Sequence, residues 1–283
     1  MSELIESRRE TIGTFVDEIG IEIGVYGDWR LKADFRPVFT PLQGGFHAVA
    51  VEGAMRPFVF GREVEERMFR RAVPQRDRPI VAAAGAALCL RNLHHTGVMG
   101  LKLLLAAEFG TTVSPAMVRA AARALAAETN RNGVSPRAVF IEISRLAETS
   151  KDTMQAAFEA LRGSRIGVAL REKGDGIALT GPPQSSFPDL VVIDGAWFRQ
   201  VARRQSTAQL FGALVRGYRL QGAAVLVQGV TAAAELRVAL DSGANWFSGP
   251  LLAPSALAGA VFPEETLPVE TLLDERRVIP LFR

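Results

Sequence analysis

Cysteine and lysine are scarce in this sequence of 283 residues, which has a single cysteine, Cys89, and lysine only at positions 32, 102, 151 and 173. One cysteine cannot form an intramolecular disulfide, so a reducing, cytoplasmic location is expected. Arginine replaces lysine, and 33 basic against 30 acidic residues leave a formal net charge of only +3. Because no basic stripe is interleaved with aromatic residues, the sequence predicts no nucleic-acid partner.

Long apolar runs are missing as well. The longest, Ile80–Leu90, falls well short of the ~20 residues that cross a bilayer. The N-terminal MSELIESRRE lacks the apolar stretch of a signal peptide. We therefore expect no contact with a membrane. With 48% hydrophobic residues the chain can still bury a full core, which excludes wholesale disorder.

Five short apolar runs, rich in β-branched residues, each end in one polar residue. They are Ala48–Glu52, Val139–Glu142, Ile166–Glu172, Leu190–Asp194 and Ala223–Gln228. Runs of this kind are typical of strands buried on both faces, and helical periodicity between most of them indicates parallel βα units closed into a TIM-like (β/α)8 barrel. Because the carboxyl ends of parallel strands meet on one face, we expect their last residues to converge on one site. These residues are Glu52, Glu142, Glu172, Asp194 and Gln228.

The remaining segments suggest three parts: an N-terminal helix over residues 1–20, the barrel over 21–262 and a tail over 263–283 that either caps the barrel or hangs loosely. Residues 21–39 are predicted to be extended and to pair with 46–52 as a hairpin, so that the barrel begins with one antiparallel strand. Ser114-Pro115 is typical of a helix start and Asn132-Gly133 of its end. A short helix is expected from Ser255.

Several stretches together resemble the EAL domain, the bacterial phosphodiesterase that linearises cyclic di-GMP. FRPVFTPLQGGFHAVAVEGAMRP (35–57) is similar to its opening hairpin, VFIEISR (139–145) to its Glu-Ile-Thr-Glu strand, and GVALREKGDG (167–176) to its Asp-Asp-Phe-Gly-Thr-Gly turn. FPDLVVID (187–194) and VLVQGVTAAAELRVALDSGANWFSGPLLAP (225–254) are similar to its later strands and its Gln-Gly stretch. The resemblance spans roughly residues 34 to 260 and implies a barrel with one antiparallel strand and a role in bacterial signalling.

The departures from the family pattern concern its metal site. The resemblance implies two Mg²⁺ or Mn²⁺ ions held by carboxylates and an Asn, with a Lys and a Glu near the attacking water. Glu52 and Glu142 stand at two ligand positions, and Asp189 and Asp194 are kept. The other positions are occupied by Ala106 for the Asn, Arg171 and Glu172 for the paired Asp, Val192 for the Lys, Gln228 and Thr231 for two Glu, and Ser248 for the late Gln. We therefore expect no intact catalytic set, only the remnants Glu52, Glu142, Glu172 and Asp194, and no metal or other cofactor.

Arg171 is the departure with the largest electrostatic effect, because it puts a permanent positive charge where the resemblance places an acid beside the cations. At ~4 Å and an effective dielectric near 20, two unit charges repel by roughly 4 kcal/mol. We expect Arg171 to form a salt bridge with Glu52, Glu142 or Glu172 instead. The surviving acids then form a neutralised cluster. Asn92, the other candidate for the Asn ligand, lies within a helical pattern and is expected to be structural.

Three functions remain open at this point. The favoured one is a catalytically inactive EAL-like regulator that acts through an unidentified protein partner. The alternative is a metal-independent cyclic di-GMP receptor, for which Arg56, Arg171 and Asp189 are the candidate nucleotide contacts; Arg36, which replaces a family Gln, argues against it. A residual phosphodiesterase is the third. The resemblance leaves homodimerisation open.

Overall fold

The computed structural model describes residues 12–42, 45–108, 114–144, 150–174, 187–262 and 266–273. Within these ranges, 12 strands join one sheet. The strands are β1 (Gly13–Val16), β2 (Glu22–Tyr26), β3 (Trp29–Leu42), β4 (Gly45–Val59), β5 (Arg62–Glu63), β6 (Lys102–Glu108), β7 (Val139–Ser144), β8 (Gly167–Glu172), β9 (Leu190–Ile193), β10 (Ala224–Val227), β11 (Trp246–Phe247) and β12 (Ala256–Leu257). The helices are α1 (Glu66–Ala72), α2 (Arg78–Asn92), α3 (Pro115–Arg131), α4 (Lys151–Gly163), α5 (Gly195–Ala202), α6 (Gln205–Leu220), α7 (Ala233–Asp241) and α8 (Val269–Leu273), with short 3₁₀ turns at Leu93–Thr96 and Pro136–Ala138.

The barrel closes because β3 is hydrogen-bonded to both β4 and β11. Around the wall the order is β3, β11, β10, β9, β8, β7, β6, β4, and only β3 runs antiparallel to its neighbours. This confirms the predicted TIM-like barrel with one antiparallel strand near its start. No helix in the described ranges is long and apolar enough to cross a bilayer.

Alternation along each strand divides the apolar side chains into two layers. A small cluster fills the barrel interior, and its buried members come from six of the eight wall strands: Val38, Ala50, Leu104, Ala169, Leu190, Val192 and Leu226. The residues between them, such as Val191 and Ile193, belong to the larger cluster between the wall and the helices. Both faces of the parallel strands are therefore buried, as their unbroken apolar runs predict.

A smaller β-rich lobe lies beyond the mouth end of the barrel. The strand β4 pairs with β6 in the barrel wall only up to Gly53, and its second half continues into the lobe, where it pairs with the first half of β3. β1, β2 and β5 extend this lobe, and β12 pairs with β3 at Phe35 and Asp34. Two predictions are wrong here. Gly13–Val16 is a strand and not part of a helix, because Thr14, Phe15 and Val16 pair with β2, while residues 1–11 lie outside the described ranges. The segment after Ser255 is also a strand and not a helix.

The other element boundaries follow local signals in the sequence. Ser114 caps α3 by accepting a hydrogen bond from the Met117 amide at 3.3 Å, and Asn132 ends that helix, as predicted. In the described part of the tail, Leu267 exchanges two backbone hydrogen bonds with Phe46, at 2.8 and 3.0 Å, and Leu272 is buried. This part of the tail therefore covers the amino end of β4.

Candidate functional site

The mouth of the barrel collects side chains from the carboxyl ends of five wall strands. Glu52 lies on β4, Glu142 on β7 and Arg171 on β8, while Asp194 and Gln228 directly follow β9 and β10. All of these strands are parallel and end at the same edge. The predicted convergence is therefore observed for four of the five expected residues, and Arg171 lies between them.

Arg171 is the centre of this group. Its Nε donates to Oε1 of Glu142 at 2.6 Å, and its Nη2 donates to Oε2 of the same carboxylate at 2.8 Å. Its Nη1 donates to Oε1 of Gln228 at 2.7 Å and lies 3.4 Å from Oδ2 of Asp194. One guanidinium thus joins three strand ends by charge-assisted hydrogen bonds, the pair with Glu142 being bidentate.

Glu52 joins the same network on the other side of the mouth. Gln228 Nε2 donates to its Oε2 at 2.7 Å, and the Ser248 hydroxyl donates to its Oε1 at 2.5 Å. The Arg36 guanidinium lies 3.9 Å from Oε2. Gln228 therefore connects Arg171 to Glu52: its side-chain carbonyl oxygen accepts a hydrogen bond from Arg171, and its side-chain amide donates one to Glu52. Sequence reasoning placed Gln228 at the convergent strand ends but treated Ser248 only as a loss from the family pattern, and it missed the hydrogen bonds that both make to Glu52.

Burial and hydrogen bonding shift the pKa values of Arg171 and Glu52 in the mouth. Glu142 is only 2% exposed, whereas the Arg171 side chain retains 22% of its exposure. Burial alone would lower the pKa of Arg171, but the charge and hydrogen bonds of Glu142 outweigh it, so the pKa is raised and the guanidinium stays protonated. Burial raises the pKa of Glu52, and the hydrogen bond from Ser248 opposes that shift only in part.

Glu172 does not join this group, which corrects the predicted convergence. Because successive side chains of a strand alternate, Arg171 points into the mouth and Glu172 points outward, beneath α6. The Tyr218 hydroxyl donates to its Oε2 at 2.6 Å, and the Gly174 amide donates to its Oε1 at 2.7 Å. Glu172 is fully buried there, so it supports the wall of the barrel and its side chain lies on the opposite face of β8 from that of Arg171.

Arg56 and Asp189 occupy different ends of the barrel. Arg56 lies on β4 beyond Glu52, where it is 2.9 Å from Asp34 and donates to the Ser255 hydroxyl at 2.7 Å. Asp189 directly precedes β9, and its Oδ2 accepts from the Val168 amide at 2.8 Å at the start of β8. The structure therefore does not bring Asp189 to the mouth with the other candidate nucleotide contacts.

Solved structures with this architecture include Klebsiella pneumoniae BlrP1, described as a calcium and cyclic di-GMP complex. It is 18% identical, the match covers 81% of this chain and 56% of BlrP1, and the TM-score is 0.67. A standalone EAL protein from Vibrio cholerae O395, described as a cyclic di-GMP-bound form, is 15% identical over 81% of this chain and 93% of its own, with a TM-score of 0.65. This chain has the EAL-domain fold.

Other comparisons mark the limits of this likeness. The phosphodiesterase PaMucR, described as a cyclic di-GMP complex, shares 15% identity over 86% of this chain and 94% of its own, with a TM-score of 0.65. BlrP1 is also described with FMN and cyclic di-GMP and no metal ions. The chain spans less than two thirds of the BlrP1 chains it matches. No family model matches the sequence, and no curated protein matches it.

Within the EAL fold, two further positions lie where the sequence analysis expected them. Ala106 is paired in register with Glu142, so a methyl group stands beside that carboxylate where the sequence resemblance implied an Asn. Asn92 is buried on α2, accepts from the Glu22 amide at 2.9 Å and donates to the Glu22 carbonyl at 2.8 Å. Asn92 is structural, as predicted.

The residues in the mouth do not fit a pair of divalent cations. Both oxygens of Glu142 are within 2.8 Å of the Arg171 guanidinium, which also contacts Asp194. Glu52 is bound by two neutral donors, the Gln228 amide and the Ser248 hydroxyl. In the described ranges no three His, Cys, Asp or Glu side chains are grouped so that they could hold an ion.

Proposed function

We propose that this chain is an EAL-fold protein without phosphodiesterase activity that acts in bacterial signalling through contacts with a protein partner. The observation that supports this proposal is the position of Arg171, whose guanidinium is bonded to Glu142, Gln228 and Asp194 at the centre of the mouth. These are the strand ends at which the resemblance expects metal ligands. A permanent cation there replaces the charge that metal ions would supply.

Electrostatics argue against metal ions beside this guanidinium. An ion bound by Glu142 would lie within about 4 Å of Arg171, where each pair of unit charges repels by roughly 4 kcal/mol at an effective dielectric near 20, and a divalent ion doubles that cost. Release of Arg171 would relieve that repulsion but would break its hydrogen bonds to Gln228 and Asp194. Both terms oppose the two-metal chemistry that hydrolysis would need.

The strand that would carry the catalytic Lys supports the same proposal. Val192 occupies that position on β9, and it is fully buried among the apolar side chains of the barrel interior. A valine can neither donate a proton nor orient a water molecule. At this position the mouth therefore has no side chain that could activate water, in addition to residues that do not suit metal ions.

A hydrolysis assay tests the proposal directly. Purified protein would be incubated with cyclic di-GMP and either Mg²⁺ or Mn²⁺, with PaMucR as the active control, and the linear product would be measured by chromatography. We expect no product above the protein-free control. Turnover at a rate comparable with that of PaMucR would refute the proposal and favour a remodelled phosphodiesterase.

Metal-independent binding of cyclic di-GMP is the second candidate function. It is favoured by the BlrP1 structure that is described with cyclic di-GMP and no metal ions. Arg36 argued against it as a departure from the family sequence, but its half-exposed guanidinium lies beside Glu52 at the mouth, where a cation could pair with a phosphate. Calorimetric titration with cyclic di-GMP in the presence of EDTA separates the two candidates. Saturable binding that weakens in Arg36→Ala would support a receptor, and no binding would leave the partner-dependent regulator.

A further inference from the structure

A basic groove lies at the amino end of the barrel wall, opposite the mouth. Two adjoining cavities of about 280 and 400 Å³ form it, and both are lined by Arg137 and Arg165. Arg137 comes from the turn before β7 and Arg165 from the turn before β8. We define the basic groove by Arg137, Phe140, Arg162, Arg165, Gly167 and Asp189.

The three arginines of the basic groove are not neutralised to the same extent. Arg162 donates to the Phe187 carbonyl and lies 3.9 Å from Asp189, the one acidic member of the groove. The side chains of Arg137 and Arg165 have neither a hydrogen bond nor an ion pair with any residue in the described ranges. Two guanidinium groups therefore face the groove without an acidic partner there.

The backbone at Arg165 supports a functional reason for this residue. Its φ is +61°, in the left-handed region, directly after Ser164, the C-cap residue of α4. Glycine or asparagine is usual at such a position because a larger side chain costs conformational free energy there. Arg165 closes the end of α4 in this conformation, its amide donating to the Arg162 carbonyl at 2.9 Å, and its long side chain, which the turn itself does not require, lines the cavity.

The floor of the basic groove is aromatic. The Phe140 ring lies against Gly167, where an added β-carbon would come within 2.6 Å of the ring, and it packs edge-on against Trp246 with centroids 5.9 Å apart. The arginines around this floor are exposed, so the site is an open groove and not the enclosed pocket that small molecules usually occupy. Arginine and aromatic side chains are also enriched at protein interfaces.

We infer that the basic groove docks an acidic segment of a protein partner. Carboxylates of that segment pair with the Arg137 and Arg165 guanidinium groups, whose planar forks match a carboxylate, and an apolar side chain lies over Phe140. This inference rests on the proposed function, because it supplies the chemistry of the partner through which the regulator acts. It also places the partner at the end of the barrel that carries no catalytic remnant.

Fluorescence anisotropy with a fluorescein-labelled octaglutamate peptide tests the inference on the full chain. We expect binding that weakens by about fivefold in Arg137→Gln and in Arg165→Gly, since each removes one groove contact. Arg165→Gly also relieves the left-handed backbone, so it should not destabilise the fold, and an unchanged melting temperature separates loss of binding from unfolding. Arg62→Gln, at an exposed position on β5 in the β-rich lobe, is the matched control and should bind like the wild type.

Three outcomes would overturn the inference: no binding of the peptide, equal weakening in Arg62→Gln, or saturable micromolar binding of inorganic phosphate that is lost in both groove variants. The second would show a general attraction of a basic chain, and the third would assign the groove to a small anion. The hydrolysis assay keeps this test separate from the proposed function. If the protein neither binds the peptide nor hydrolyses cyclic di-GMP, only the inference about the groove is rejected. If it hydrolyses cyclic di-GMP, the proposed function is rejected.

Discussion

Arg171 holds both carboxylate oxygens of Glu142, at 2.6 and 2.8 Å, across the neighbouring strands β8 and β7. The two side chains point into the mouth of the barrel, where Glu142 is only 2% exposed. A buried carboxylate requires a cation or several donors, and here the guanidinium supplies both. The pair therefore links the charge balance of the mouth to the stability of the fold.

Reversing the charge at residue 171 should make the melting temperature of the protein depend on divalent metal ions. In Arg171→Asp, the new acid joins Glu142, Asp194 and Glu52 and removes the cation, so oxygen ligands for a divalent ion become available. At an Mn²⁺ concentration ten times the Kd, we expect the melting temperature to rise by roughly 3 °C or more. Differential scanning fluorimetry with and without Mn²⁺ measures this shift.

The wild-type chain and Arg36→Ala are the controls for that experiment. Both retain the Arg171–Glu142 pair, so neither Mg²⁺ nor Mn²⁺ should change their melting temperature. Clear stabilisation of the wild type by either ion would contradict both the fit of the mouth residues and the proposed lack of hydrolysis.

Removing the guanidinium alone should cost far more than replacing the whole pair. Arg171→Met removes the bidentate guanidinium from the buried carboxylate of Glu142, and we expect a loss of about 3–5 kcal/mol in the free energy of unfolding. The double variant Arg171→Met with Glu142→Leu removes both charges and should recover most of that loss. Urea unfolding of the two single variants and the double variant gives the coupling energy. Additive losses would show that the pair is not coupled.

The sequence predicted the barrel and most of the site because both depend on local patterns. Parallel strands end at one edge, so the polar residues that follow apolar runs could be placed together without knowing the strand order. Which of Arg171 and Glu172 faces the mouth was beyond this reasoning. Both faces of β8 are buried, so its residues do not alternate between apolar and polar, and the sequence does not indicate which of them face the barrel interior.

Other errors arose where the decisive contacts are distant in sequence. Gly13–Val16 and Ala256–Leu257 are strands because they pair with β2 and β3, and neither segment has a strong period of its own. Asp189 is different, since the sequence contained the necessary signal. It precedes the apolar run Leu190–Ile193, and a residue before a parallel strand lies at the amino end of the barrel, away from the mouth.

The buried contact between Tyr218 and Glu172 should be measurable as stability. Tyr218→Phe keeps the ring but removes the hydroxyl that donates to Glu172 at 2.6 Å, and hydrogen bonds to charged, buried groups contribute about 1.5–3 kcal/mol. We expect a loss of that size by urea unfolding. The loss should shrink when Glu172→Gln is already present, because the acceptor is then neutral. Equal losses in both backgrounds would assign the effect to packing.

The wild type should lose free energy of unfolding relative to the Glu52→Gln variant as the pH rises. Its folded pKa is raised above the ordinary 4.5 by burial, so the folded state binds the proton more tightly than the unfolded state. The contribution to stability is then fully present below the unfolded pKa and is lost as the pH rises through the folded pKa. Urea unfolding of both proteins between about pH 4 and 8 measures this difference.

Glu128 provides the control of opposite sign. Burial alone would raise its pKa, but the hydrogen bond and charge of Arg91, 2.7 Å away, outweigh burial and lower it below the ordinary 4.5. Its contribution is therefore present above the unfolded pKa and is lost as the pH falls through the folded pKa. Relative to Glu128→Gln, the wild type should gain stability as the pH rises. Slopes of the same sign at Glu52 and Glu128 would mean that Glu52 is held as a paired carboxylate, and its buried environment in the mouth would then have to be reinterpreted.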